Sequence, residues 1–363
     1  MGILTRLYRG ETNFEFIGTR KWWYLASLVL LILCVLSMVF RGFNVGIDFK
    51  GGTQFQIQAS NTSLTTTQVE QALEETGHPS ESAAQQVGSG ATRQIVIKTA
   101  ELSIVEQSET ERELAAALKI DRDSISTDSV SSSWGGEITK KAIQGLLVFL
   151  VVVFAYIALR FDVKMAIGAM VALLHDLIVT AGIYSLVGFE LTPSTIVGLL
   201  TILGFSLYDT VVVFDKVAEN TRGLLSTARE TYATAANRAV NQTLMRSVNT
   251  SVISLLPVGG LLFVGAGMLG VGTIKDLALI LFIGLSVGMY SSLFLATPVV
   301  VDLVEREPEH QLLAKRLQAK RASARVAEPA VVGAPAPVIR RGSPAPAPKP
   351  GARPASRPAR KRP

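Results

Sequence analysis

Cysteine, histidine and charge are all scarce in this chain. Of 363 residues one is cysteine, Cys34, and three are histidine, while charged residues make up only 18%. A single cysteine excludes any intrachain disulfide and carries no information about redox compartment. The histidines stand far apart in sequence, and no His-x-x-x-His spacing or acidic cluster accompanies His175-Asp176, so no metal site is expected there. No nucleophile–base pair and no phosphate loop occurs either, which argues against a chemical enzyme. What the chain has is apolar residues: 48% are hydrophobic and the mean hydropathy is positive, unlike a soluble protein of this size.

Those apolar residues gather into six runs near the ~20 residues that a membrane-spanning helix needs: Trp22–Phe40, Ala142–Leu159, Met165–Val187, Pro193–Phe214, Ser247–Leu269 and Leu277–Val301. The first is too long for the apolar region of a cleaved signal, and Phe40-Arg41-Gly42 is a poor cleavage site, so it reads as an uncleaved anchor. Arg6, Arg9, Arg20 and Lys21 precede it. Arg160 and Lys164 lie between runs two and three, and Lys216, Arg222, Arg229 and Arg238 between runs four and five. An excess of Lys and Arg marks the cytoplasmic side. A multi-pass protein with both termini cytoplasmic follows, although Lys140 and Lys141 run against it.

The segment Asn44–Thr139 then falls outside. It holds fourteen acidic against six basic residues and reads as a small α+β domain in the order strand, helix, strand, helix, strand. Thr53–Gln58 and Arg93–Lys98 alternate polar and apolar residues, Ser124–Ser131 is the third strand, and Thr65–Thr76 and Glu109–Leu118 are helical, with Thr66 or Thr67 as the first N-cap. His78, beside Pro79, reads as a loop residue, and the negative charge argues against nucleic-acid binding there. The domain order is a cytoplasmic N-terminus (1–21), the first helix (22–40), the external domain (41–141), helices two to six (142–305) and a tail (306–363). From Ala314 onward the tail carries thirteen Lys/Arg against Glu328 alone. Its Lys315–Arg325 stretch has helical composition, whereas the Ala/Pro-rich remainder cannot bury a core and should be disordered. Such a tail suits anionic membrane lipid; contact with ribosomal RNA or an acidic partner is the alternative.

Asp209 stands inside the fourth run, in Gly204-Phe205-Ser206-Leu207-Tyr208-Asp209-Thr210-Val211. A carboxylate in that setting is costly and marks a functional site with a partner to be found. Arg246, entering the fifth run, is the candidate, carrying Asn249 and Thr250 three and four residues ahead on one helix face. Ser206 is the polar neighbour on the Asp209 face. Protonation of Asp209 would cancel an attraction to Arg246 and free the two helices, a two-state element biased by one proton. Alternatively both charges snorkel to the interface and only fix topology. His175-Asp176 in the third run is a candidate proton relay; in the other reading it lies in the first turns of its helix and is wet from the cytoplasm. Pro257-Val258-Gly259-Gly260 should loosen the fifth helix, and Gly284 with Gly288 form a small face for close packing on the sixth.

Several stretches together resemble one family. They are Gly46-Ile47-Asp48-Phe49-Lys50-Gly51-Gly52-Thr53 after the first helix, Ala172-Leu173-Leu174-His175-Asp176, Gly204–Lys216 around Asp209, Asn241-Gln242-Thr243-Leu244-Met245-Arg246-Ser247, and Gly288-Met289-Tyr290-Ser291-Ser292-Leu293-Phe294-Leu295-Ala296-Thr297-Pro298. In this order they resemble the SecF family of protein-export membrane subunits and span the chain from about Arg20 to Val304. The resemblance implies half of a resistance-nodulation-division-type helix bundle, a SecD-like partner half, and action with the SecYEG channel and SecA on a translocating polypeptide in the bacterial plasma membrane. It further implies coupling to the proton motive force, or to Na⁺, through Asp209 and Arg246, and it singles out Asp48, Gly51 and Gly52. No organic cofactor is implied. The chain has Tyr208 where the family commonly has Asn, and its basic tail lies outside the core pattern. A small-molecule exporter half and a passive translocon scaffold are the rival readings; the first would show a large external substrate cavity or a second set of helices in the same chain.

Overall fold

The computed structural model describes residues 14–59, 63–88, 90–266 and 272–327. Along the chain run α1 (Arg20–Phe40), β1 (Asn44–Val45), α2 (Ile47–Lys50), β2 (Gly52–Gln58), α3 (Thr66–Glu75), β3 (Gln85–Val87), β4 (Gln94–Thr99), α4 (Ile104–Leu118), β5 (Ile125–Val130) and α5 (Ser132–Arg160). Then come α6 (Val163–Val187), β6 (Glu190–Leu191), α7 (Pro193–Thr221), α8 (Leu224–Thr227), α9 (Tyr232–Gly260), α10 (Gly272–Ser291), α11 (Thr297–Glu305) and α12 (Pro308–Ala327).

Among the described residues six helices are long and apolar enough to cross a membrane, in agreement with the hydropathy pattern. The second crossing helix starts at Ser132, well before Ala142, because its first turns are polar and carry no apolar signal. The last is continuous from α10 to α11 through a π-helical segment, Ser292–Ala296. Proline explains the position of that segment. Pro298 has no N–H for the carbonyl of Phe294 and its ring crowds that carbonyl, so the preceding turn widens. A second π-helical segment, Leu261–Ala266, lies after Pro257 at the end of α9, on the side the proline ring does not crowd.

Burial is unequal among the crossing helices. On α6 the buried face runs almost the whole length, from Met165 to Ser185, whereas α1 buries only Ser27 and Cys34. The core joins Ala166, Ala169 and Ala172 of α6 to Val213 and Phe214 of α7 and to Ala235, Ala236 and Ala239 of α9. Small residues dominate because helices without a hydrophobic drive between them gain by close backbone approach. The predicted small face of the last helix does this. A Cβ added to Gly284 would stand 2.2 Å from Ile202, and one added to Gly288 would stand 3.1 Å from Ser206, both on α7.

The external domain is an antiparallel sheet in the order β3-β4-β2-β5. Phe55 and Ile57 of β2 and Ile95 and Ile97 of β4 form its core with Val69 and Leu73 of α3 and Leu114 of α4. The strand β3 was not expected; three residues are too few to show alternation. The first helix is capped by Thr65, not Thr66 or Thr67, in a reciprocal pair with Gln68, and the second opens at Ser103 with Glu106 in the same role. The tail helix α12 extends over the expected Lys315–Arg325, and the chain divides into compact units at Gln318. The Ala/Pro-rich stretch expected to be disordered, after 327, lies outside the described residues, as do Arg6 and Arg9.

The domain is tied to the bundle by the glycine pair and by a short parallel ladder, in which Asn44 pairs with Glu190 and Val45 with Leu191. Gly51 has φ +82° and ψ 170°, a conformation open essentially only to glycine, and a Cβ there would lie 2.5 Å from the Ser132 backbone. Gly51→Ala should therefore lower the thermal midpoint of the detergent-solubilised protein, by backbone strain of about 1–3 kcal/mol plus the Ser132 clash. Gly136→Ala, whose added Cβ meets nothing within 4 Å, should leave it unchanged.

Candidate functional site

Asp176 and Asp209 are both buried, at 1% and 8% exposure, on the facing sides of α6 and α7. Neither pairs with a Lys or Arg among the described residues. Serine hydroxyls satisfy them instead. Ser206 donates to Asp176 Oδ2 at 2.6 Å and Ser291 donates to the same oxygen at 2.8 Å. Ser292 donates to Asp209 Oδ2 at 2.5 Å. His175 Nδ1 lies 3.2 Å from Asp176 Oδ1, and its Nε2 is buried without a hydrogen-bond partner. Hydrogen bonds to an ionised group are the stronger kind, and burial makes each one count.

Local structure explains the convergence. Ser291 and Ser292 are adjacent, point about 100° apart around the helix, and so reach carboxylates on two different helices, at the place where the helix changes from α to π. Gly288, one turn earlier, lets the last helix approach Ser206. A cavity of about 30 Å³, wide enough to admit water, lies beside Asp209 and is lined by Ser206, Tyr208, Thr250, Ser251 and Ser254.

Several expectations are met and others are corrected. His175 and Asp176 are not wet from one end: they sit midway along α6 and are buried. Ser206 shares the Asp209 face but bonds Asp176. Arg246 forms no ion pair with Asp209 among the described residues. It is exposed, because the buried face of α9 runs through Asn237, Asn241, Leu244 and Ser247. Asn249 is exposed as well, while Thr250 lines the cavity and gives its hydroxyl to the Arg246 carbonyl. The two serines of the last helix were not picked out as site residues; Gly288 before them and Pro298 after them were the available signal.

Asp48, Gly51 and Gly52 form a separate group at the junction with the external domain. Lys98 of β4 makes a buried ion pair with Glu190 of β6 at 2.5 Å. Asp48 stands near both. Burial first, and the Glu190 charge second, raise its carboxyl above the ordinary range, and Lys98 opposes them. Among the described residues no group of three or more His, Cys, Asp or Glu is arranged to hold a metal ion.

Six crossing helices, an external α+β domain on the first loop and hydroxyl-bound carboxylates inside the bundle define a polytopic membrane subunit of transport type. Residues 110–306 match the family described as protein export membrane protein SecD/SecF, C-terminal, and residues 36–63 match the SecD/SecF GG motif. The protein translocase subunit SecF of Streptomyces coelicolor is 46% identical over 87% of this chain and 84% of its own length. That of Mycobacterium tuberculosis is 48% identical over 84% of this chain and 70% of its own. The crystal structure of SecDF from Thermus thermophilus, a translocon-associated membrane protein, aligns with a TM-score of 0.73 at 35% identity; it covers 82% of this chain, which spans 39% of that one. The chain belongs to the SecF family of Sec-pathway protein-export membrane subunits.

Ser291→Ala removes a donor from a buried carboxylate, a loss of roughly 1.5–3 kcal/mol for a hydrogen bond to a charged group. Its thermal midpoint should fall clearly, whereas Ser286→Ala, at an exposed hydroxyl bonded to the Phe282 carbonyl of its own helix, should change little. A pH series tests the junction. The folded-state value of Asp48 lies above the unfolded one, so its ionisation costs stability as pH rises through that window. Asp48→Asn should raise the midpoint at pH 8 relative to the parent, and the gain should shrink toward pH 4.

Proposed function

We propose that this chain couples an ion gradient to Sec-dependent export, working with a SecD-like partner half to draw polypeptide outward after SecA and the SecYEG channel. The observation that carries the reading is Asp209: a buried carboxylate held by one serine hydroxyl, beside a small cavity lined by hydroxyls on one part and by Phe205, Leu285 and Met289 on the other. A proton reaching it would cancel a buried charge and turn the carboxylate from a pure acceptor into a donor. The Ser292 contact would then rearrange, and with it the π segment that carries Ser292. That is a bistable element biased by a single charge. H⁺ is the ion in this reading and Na⁺ the alternative. His175 and Asp176, joined to the last helix through Ser291, are the candidate relay.

Arg246 keeps a role here as the cation of the site, reached in the assembled state rather than within the isolated chain. Polar Asn249 stands exposed beside it, and farther along α9 Val252, Ile253 and Leu256 are exposed, as are apolar residues of α1 and α5. Helix faces of that kind meet lipid or a second bundle. The relative that joins SecD and SecF in one chain supports the second bundle as a SecD half. On this reading the protein is multi-pass in the bacterial plasma membrane with both termini cytoplasmic, its basic tail lies near anionic lipid, and no nucleic acid is involved.

Export of a secreted reporter in cells carrying Asp209→Asn tests the proposal, with protein level and co-purification of the SecD-like half checked alongside. Normal assembly with export reduced to that of a deletion is the expected result. Unchanged export would overturn it and leave a passive scaffold.

A further inference from the structure

Asn237 and Asn241 stand one turn apart on α9, and both are buried. Asn241 Nδ2 donates to the Asn237 main-chain carbonyl at 2.9 Å, and both side-chain amides also reach the N-terminal segment. Asn241 Oδ1 accepts from the Phe14 backbone N–H at 2.9 Å, and its Nδ2 donates to the Phe14 carbonyl at 2.9 Å. Asn237 Oδ1 accepts from the N–H groups of Phe16 at 2.8 Å and Ile17 at 3.1 Å, and its Nδ2 donates to the Phe14 carbonyl at 2.9 Å. Two side chains thus hold the irregular backbone of residues 14–17 in a fixed register against α9. Main-chain groups at the edge of a bilayer need such partners.

The strap so held is wedged into the bundle. Phe16 and Ile17 are buried in the core. The Phe16 ring packs on Phe294 with centroids 5.5 Å apart, and Phe294 stacks on Tyr290 at the same distance and on Trp23 at 4.3 Å. Phe294 belongs to the π segment, two residues from Ser292, the hydroxyl on Asp209. Beside the strap opens a vestibule of about 600 Å³, lined by Gly18, Arg20, Lys21, Arg238 and Gln242 as well as by both asparagines. The strap therefore lies between an aqueous vestibule and the segment that carries the Asp209 contact.

We infer that residues 14–17 are a closure over the N-terminal-side access to the carboxylate site, and that Asn237 and Asn241 are the positioning residues that seat it. The amides make the closure reversible: neutral hydrogen bonds are modest in strength, and each group released finds water in the vestibule. When the π segment rearranges, Phe294 moves and the Phe16 wedge loses its seat. That last step rests on the coupling reading above, while the closure itself does not.

The test uses the full chain with its partner half in membrane vesicles, with Cys34→Ser as background and Ser292→Cys as reporter. A membrane-impermeant maleimide is applied from the face that bears the N-terminus. With the native strap, labelling should be slow. Asn237→Leu with Asn241→Leu should speed it on the order of tenfold, the shift expected when ordinary neutral hydrogen bonds are lost, with co-purification of the partner half retained. Unchanged labelling would overturn the closure, whatever Asp209→Asn does to export. In a second arm Glu15→Cys on the strap and Gln242→Cys on α9, which line the same vestibule, are bridged by a short bis-maleimide, with both asparagines and Ser292 intact. Export should stop when the bridge is closed and continue in the unbridged protein. Full export with the bridge closed would show a static staple and overturn the inference.

Discussion

Two buried carboxylates with no lysine or arginine partner among the described residues are the constraint to which the bundle is built. Burying a charge without compensation is the costliest arrangement available to a membrane helix. Here the compensation is serine, supplied from α7 and from the last helix. Hydroxyls have short reach, so the helices that bear them must come close. Gly284 and Gly288 permit that approach, and two successive serines, about 100° apart around the last helix, meet two different helices. The small-residue core between α6, α7 and α9 serves the same end.

The two carboxylates are not equivalent. Asp176 takes two hydroxyl donors on one oxygen and faces the His175 ring with the other. It is close to saturated, and that makes it a fixed point joining α6, α7 and the last helix. Asp209 has one donor and a cavity. On the proposed reading, the carboxylate with fewer donors and adjacent space is the responsive group, because its contact can rearrange without first dismantling a network, and Asp176 is the anchor.

Much of this was legible in the sequence, and the failures have physical causes. Six crossings follow from run length, because an apolar run of about twenty residues has few other soluble solutions. Asp209 was legible because a carboxylate stands out against valine and leucine. Its partner was not. Spacing puts Arg246, Asn249 and Thr250 on one stripe of α9 but does not fix the rotation of that stripe relative to α7, and the rotation found turns Arg246 outward and Thr250 toward the cavity. Serines 291 and 292 were hidden for the opposite reason: serine is unremarkable in a membrane helix, and no local pattern shows that two adjacent hydroxyls, about 100° apart around the helix, each meet a carboxylate on a different neighbour. The clamp of Asn237 and Asn241 on residues 14–17 joins segments over two hundred positions apart, beyond any local pattern.

The absence of an internal Asp209–Arg246 pair bears on how such a site can work. An arginine bound to Asp209 within one chain would hold its charge permanently and resist neutralisation, since separating a buried pair leaves two uncompensated groups. Hydroxyls stabilise the carboxylate without fixing its protonation state, because serine can donate to the ionised form and accept from the protonated one. Keeping the cation on an exposed face makes its approach conditional on another part of the assembly. On the proposed reading the pairing is then a state of the working complex that helix movement can make or break. The same movement reaches the external domain through the ladder of β1 with β6 and the Lys98–Glu190 ion pair, which join the loop between α6 and α7 to the sheet.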